Sequence, residues 1–139
     1  MVKQYKIVID TNVWISAVRS RGICRDIIRL CIMRHKIFSC EFIVNEIREK
    51  LIKKFKVKEK TVELLCEYIT KVAIITKYNL DSLPNICKDK DDNHILACCL
   101  KAEADWLITG DCELLELKEY KKTKIASPRE FLNWLLKQK

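Results

Sequence analysis

Five acidic residues, Asp10, Glu46, Asp89, Asp92 and Asp111, stand where an α/β fold could gather them into one crevice. Two unit charges 4 Å apart repel by about 4 kcal/mol at an effective dielectric near 20. A gathering of this kind therefore calls for cations or shared protons. Hard divalent ions that prefer oxygen ligands are the natural answer, and Mg2+ usually takes one or two carboxylates while keeping several waters. His35 and His94 stand alone and no two cysteines are spaced C-x-x-C, which argues against zinc. One or two Mg2+ or Mn2+ ions would activate a water there and stabilise the charge that builds on a phosphodiester in transit.

The elements around these residues give them their positions. Tyr5-Lys6-Ile7-Val8-Ile9 is rich in β-branched residues and ends in Asp10-Thr11-Asn12, which predicts a buried strand and a turn. A short helix over about 13–20 follows, and apolar residues at 23, 27, 28, 31 and 32 predict another over 23–34. Ile37-Phe38 predicts a second strand, with Ser39 capping a helix whose inward stripe is Val44, Ile47, Leu51 and Phe55. Glu46 flanks that stripe, within reach of the sheet's carboxyl edge; the plainer reading is an exposed helix glutamate. Residues 61–70 predict a further helix, 72–75 a third strand, 76–90 the longest loop, 95–100 an apolar helix, 104–108 a fourth strand and Ile125-Ala126 a fifth. Ser127-Pro128-Arg129-Glu130 is a capping box with proline at the first helical position, opening a final helix to about Lys137.

Lys88-Asp89-Lys90-Asp91-Asp92 opens the helix that carries Ile95, Leu96 and Cys99. Acids at a helix start satisfy free amides and the dipole, but one cap needs fewer than three. Asp92 precedes Ile95, Leu96 and Cys99 by one-face spacing and points inward with them. Asp91 lies about 100° round the helix and is the candidate for cap or solvent. Asp89 precedes the helix and can fold back to the crevice, so Asp92 and Asp89 are preferred. His94 reads as a capping or solvent-facing residue.

Strands alternating with helices predict a three-layer α/β/α arrangement with a parallel sheet, formed by a single domain over 1–139. Ligands in such folds bind beyond the carboxyl ends of the strands. Asp10 ends the first strand and Asp111 follows the fourth, so both face one crevice if those strands are neighbours.

With 49% hydrophobic and 33% charged residues the composition is globular. No run of 18 apolar residues exists and the N-terminus has no apolar signal core, so a cytoplasmic protein without membrane contact is expected. The eight cysteines, at 24, 31, 40, 66, 87, 98, 99 and 112, are expected as reduced thiols, mostly buried. Net charge is +8, and Arg48 to Lys60 holds seven Lys/Arg against two Glu. Lys53, Lys54 and Lys56 in that stripe are candidate contacts to a polyanion, or else a solvated face.

Taken together, these segments resemble the PIN-domain family, over about residues 5–135. Ile7-Val8-Ile9-Asp10-Thr11-Asn12-Val13 is similar to its opening strand, and Val44-Asn45-Glu46-Ile47 to its helical glutamate. Asp89-Lys90-Asp91-Asp92, followed by Ile95-Leu96-Ala97, resembles the D-x-x-D segment of the subgroup associated with toxin components. Thr109-Gly110-Asp111 resembles the T-x-D after strand four, and Ser127-Pro128-Arg129-Glu130-Phe131-Leu132 the C-terminal segment. The resemblance implies a five-stranded parallel sheet ordered 3-2-1-4-5, frequent homodimers and metal-dependent RNA cleavage. It implies Asp10, Glu46, Asp92 and Asp111 as ligands of Mg2+ or Mn2+, Asp89 as a further acid, and Asn12 and Thr109 as residues that orient ligands and phosphate. Many small prokaryotic members are toxins neutralised by a cognate antitoxin. Residues 93–94, Asn-His, depart from the apolar or small residues common there, which leaves Asp89 and Asp92 as rivals for the ligand.

Other acid-rich folds fit less well. A haloacid-dehalogenase phosphatase would want Asp-x-Asp, and position 12 is Asn. A receiver domain would want a lysine after the last strand, for which there is no convincing match. With glycine only at 22 and 110, no phosphate-binding glycine loop is available. The remaining alternative is a catalytically silent PIN-fold module that binds RNA or protein.

Overall fold

The structure, a computed structural model, describes residues 3–138. A six-stranded sheet, ordered β3-β2-β1-β4-β6-β5, forms its centre. Its strands are β1 (Lys6–Ile9), β2 (Lys36–Cys40), β3 (Ala73–Thr76), β4 (Trp106–Ile108), β5 (Glu119–Tyr120) and β6 (Thr123–Ala126). All neighbours pair in parallel except β5, which lies antiparallel to β6 at the edge. The five parallel strands thus stand in the expected order, with Thr123–Ala126 as the fifth, and the short β5 is an addition to the expected five. Its hairpin escaped the sequence reading because it turns at Lys121-Lys122, with Lys121 at φ 54°, lacking the Asn-Gly or Asp-Gly that marks such turns.

Ile7, Val8 and Ile9 are fully buried, as a central parallel strand covered on both faces requires. The helices are α1 (Thr11–Arg19), α2 (Ile23–Arg34), α3 (Glu41–Glu49), α4 (Glu59–Val72), α5 (Lys90–Ala102), α6 (Cys112–Leu117) and α7 (Pro128–Leu136). Helix α5 packs across β1, β2 and β3, whereas α1 packs on α2 and α3, α3 on α4, and α2 on α7. Phe131 of α7 is fully buried, held at the helix start by the expected capping box of Ser127 and Glu130.

Several boundaries differ from expectation. Ser39 is not a cap: it is a buried residue of β2, and Cys40 occupies the cap position of α3 without a side-chain bond. The helix expected to run straight to Phe55 becomes a π-helical turn over Lys50–Lys54, closed by Phe55 N–H donating to the Lys50 carbonyl at 3.1 Å. Val72 closes α4 rather than opening β3. Helix α6 had no sequence signal beyond one capping Asp, because six residues are too few to show a period.

Candidate metal centre

Asp10 leaves β1 at its carboxyl end, its N–H donating to the Ile108 carbonyl of β4 at 3.0 Å. Its Oδ1 then accepts the Thr11 N–H at 2.7 Å and caps α1. Its Oδ2 accepts from the Thr109 hydroxyl at 2.6 Å, and that hydroxyl accepts the Asp111 N–H at 3.0 Å. One wholly buried threonine therefore ties together the ends of β1 and β4. Asp111 in turn caps α6 by accepting the Leu114 N–H at 3.1 Å.

Glu46 reaches the same place from α3, where its Oε1 accepts from the Thr11 hydroxyl at 2.7 Å. Helix α5 brings the rest. Asp89 is the cap of α5, accepting the Asp91 N–H at 2.9 Å, and Asp91, read as a cap or solvent residue, is exposed. Asp91 also lines the pocket, and its charge acts on Glu46. Asp92 is 6% exposed, and its Oδ2 is buried with no hydrogen-bond partner among the described residues.

The result is a pocket of about 120 Å³ lined by six carboxylates, those of Asp10, Glu46, Asp89, Asp91, Asp92 and Asp111. At about 30 Å³ per liquid water this has room for about four waters, or an ion with part of its hydration shell. Asn12 and Lys50 complete the lining, with Lys50 Nζ donating to Asn12 Oδ1 at 3.4 Å.

Burial raises the pKa of Asp10, and the hydrogen bonds from Thr109 and Thr11 oppose that. Burial also raises Glu46, opposed by Thr11 and Lys50. Asp92 has no such opposition. Burial first, then the charges of Asp111, Asp89, Asp10 and Glu113, push it up to about 7. An all-oxygen donor set with an orphaned buried carboxylate oxygen fits a hard divalent cation. Among the described residues, no three of the pocket's acids bring oxygens within 4.8 Å of one another. That spread suits an ion that takes one or two carboxylates and fills its remaining positions with water.

The pocket opens on a groove lined by Asn12, Ser16, Arg19, Lys50, Lys54 and Phe55, sharing Asn12 and Lys50 with it. The Arg19 guanidinium lies 3.8 Å from the centre of the Phe55 ring. Of the three lysines expected to contact a polyanion, Lys54 lines this groove, while Lys53 and Lys56 lie outside its lining.

Thr11, Lys50 and Glu113 stand outside the site residues expected from the sequence, and Asp91 was expected only as a cap or solvent residue. Lys50 had a signal, since it follows Glu46 by four residues and so shares its helix face. Thr11 had none, because its importance is a contact across 35 positions. His94 is neither cap nor solvent-facing: it stacks on Phe42 at 4.1 Å, and its Nδ1 bonds the Tyr78 hydroxyl at 2.8 Å.

The PIN-domain family model matches residues 6–113, a span that contains all six carboxylates. This chain belongs to the PIN-domain family. The PIN domain is 31% identical to an uncharacterized protein of Methanocaldococcus jannaschii over 142 residues, covering 91% of this chain and 89% of that one. Its fold is similar to a chain of VapBC2 from Rickettsia felis, solved bound to a DNA fragment from its promoter (TM-score 0.65, 11% identity, 88% of this chain and 98% of that one). It is also similar to a chain of VapBC-1 from nontypeable Haemophilus influenzae (TM-score 0.62, 15% identity, 89% and 98% covered). PIN domains are generally nucleases, and the PIN nucleases generally use divalent metals.

Proposed function

We propose that this PIN domain is a Mg2+- or Mn2+-dependent endoribonuclease, hydrolysing RNA phosphodiesters with a metal-activated water. The observation that carries this reading is Asp92, a buried carboxylate with an unpartnered oxygen in a pocket holding five further acids. That much negative charge calls for cations or shared protons to offset it, and the all-oxygen donor set suits the cation.

In this reading Asp10, Glu46, Asp92 and Asp111 would hold one or two ions, some of them through ordered water, with Asp89 as a further acid. Once bound, a divalent ion supplies Lewis acidity toward the phosphoryl oxygens and lowers the pKa of a water. The chain's own residues position and bind. Thr109 and Thr11 fix the Asp10 and Glu46 carboxylates by short hydrogen bonds, so neither swings free when the ion leaves. Asn12 and Lys50 stand where the pocket meets the groove and orient the phosphate. Arg19, Lys50 and Lys54 counter the flanking backbone charge, and Lys53 and Lys56 extend that basic surface.

Likeness to chains of VapBC assemblies supports a toxin role with a cognate antitoxin partner. Induced expression should then arrest growth, and Asp10→Asn should relieve the arrest; normal growth with the wild type would sink the toxin role. A homodimer is the expected state, read by light scattering as twice 16.4 kDa; a monomeric mass removes it.

The nuclease reading is tested on a mixed RNA pool with Mg2+ or Mn2+. Asp10→Asn should lose about a hundredfold or more, since even outer-shell changes cost 10–100-fold. Equal activity of the two proteins, or none in the wild type with either metal, would leave a silent binding module.

A further inference from the structure

Asp92, which lines the acidic pocket, also meets two residues that the nuclease reading leaves idle. Cys87, Asp92 and Glu113 each offer one ligand atom, and the three atoms lie within 4.8 Å of one another. Cys87 is 5% exposed and Asp92 6%, so two of the three donors are withdrawn from bulk water. The buried Asp92 Oδ2, without a hydrogen-bond partner among the described residues, is shared between this cluster and the acidic pocket and leaves a ligand position open to either. A carboxylate oxygen so placed goes without the one or more bonds that buried polar atoms nearly always make.

The surroundings hold these donors in place. Asn93 Oδ1 accepts the N–H groups of Ile86 and Cys87 at 3.2 and 2.9 Å, and its Nδ2 donates to the Cys87 carbonyl at 3.2 Å. Cys87 is thus clamped against the first turn of α5, one residue from Asp92. Glu113 arrives from α6, with Oε2 accepting the Lys88 N–H at 2.8 Å. Three chain segments converge, each with its backbone or carboxylate tied.

We propose that Cys87, Asp92 and Glu113 form a second cation site that selects a thiophilic transition-metal ion, Zn2+ above all, over Mg2+. A thiolate is a soft ligand that Mg2+ does not seek, whereas Zn2+ takes sulfur and carboxylate oxygen together and leaves a fourth position to water. Donors on a tetrahedral ion stand roughly 3.5 Å apart, from bonds of about 2.0 and 2.3 Å. The donor atoms, within 4.8 Å of one another, would draw in toward that spacing on binding. On binding, the thiol proton goes to solvent and the sulfur lone pair to the metal. Asp92 is common to this site and to the acidic pocket, so occupancy of one alters affinity at the other, reciprocally. Cation binding itself does not depend on the nuclease reading, because the test reads an optical signal rather than turnover.

Co2+, a coloured substitute for Zn2+, is titrated into the reduced full chain with and without excess Mg2+. A thiolate-to-cobalt charge-transfer band in the near ultraviolet should saturate at one equivalent. Cys87→Ser should abolish it, Cys112→Ser should leave it, and Glu113→Gln should weaken Co2+ binding by about tenfold or more. Where Cys87→Ser does not fold, Glu113→Gln, with every thiol intact, decides the matter by its affinity. An absent band, a band that survives Cys87→Ser, or unchanged affinity in Glu113→Gln overturns the proposal.

Discussion

Asp92 concentrates the chemistry of this molecule in one side chain. Its folded pKa of about 7 lies above an unfolded value near 4. Between those values the folded state keeps a proton that the unfolded chain has lost. Metal-free stability therefore falls as pH climbs from about 4 to about 7, on the order of a few kcal/mol at most. A divalent cation stabilises the ionised form and should offset the fall. In EDTA, the melting temperature is expected to drop between pH 5 and pH 8, and Mn2+ should restore more of it at pH 8 than at pH 5. Asp92→Asn, which removes the charge and keeps the shape, should flatten both dependences. A wild-type melting curve insensitive to pH over that window would show that Asp92 ionises without strain.

At the scale of elements, the start of α5 matters most, because it delivers Asp89, Asp91 and Asp92 and anchors the preceding loop. That anchor is Asn93, which is 4% exposed and whose amide makes three bonds to the backbone of Ile86 and Cys87. Asn93→Ala leaves the Cys87 N–H and carbonyl unmet and should cost about 1–3 kcal/mol, read by urea unfolding. Ser127→Ala, at the cap of α7, should cost about 1 kcal/mol and leave RNA cleavage unchanged, since α7 contributes nothing to the pocket. A loss of cleavage in that variant, at matched stability, would mean that the α7 end of the sheet also shapes the site. The sequence showed α7 clearly because its capping box is local. It left the α5 cap open because Asp89 and Asp91 differ only in which one turns back to bond the other's N–H.

Across the whole molecule, charge of opposite sign is sorted over a short distance. Net charge is +8, yet the pocket gathers six carboxylates, and the compensating cations Arg19, Lys50 and Lys54 line the adjoining groove. A polyanion lying in the groove would be held electrostatically on its flanks, and its binding should weaken as salt rises. Lys54→Glu should weaken RNA binding across sequences and reduce the slope of log K against log salt by about 1 to 2, measured by fluorescence anisotropy. Lys53→Glu and Lys56→Glu should have smaller effects, because neither residue lines the groove. Equal effects from all three would make the segment a diffuse basic surface rather than the wall of a path.

The sequence by itself determined the alternation of helices with parallel strands, the buried strand ending at Asp10, and the candidacy of five of the six pocket acids. Those follow from apolar period, turn residues and strand-end position, all of which act within a few residues of chain. Tertiary structure alone decided what each acid touches. Thr109 bonds Asp10 across 99 positions and Thr11 bonds Glu46 across 35, and no local pattern encodes either contact. The cysteines show the same division. Spacing argued against zinc, because no two stand as C-x-x-C, yet folding sets Cys87 beside Asp92 and Glu113. Ligand spacing along a chain reveals a site only when neighbouring residues build it. Here a loop, a helix start and a second helix build it, and only their packing brings the donors together.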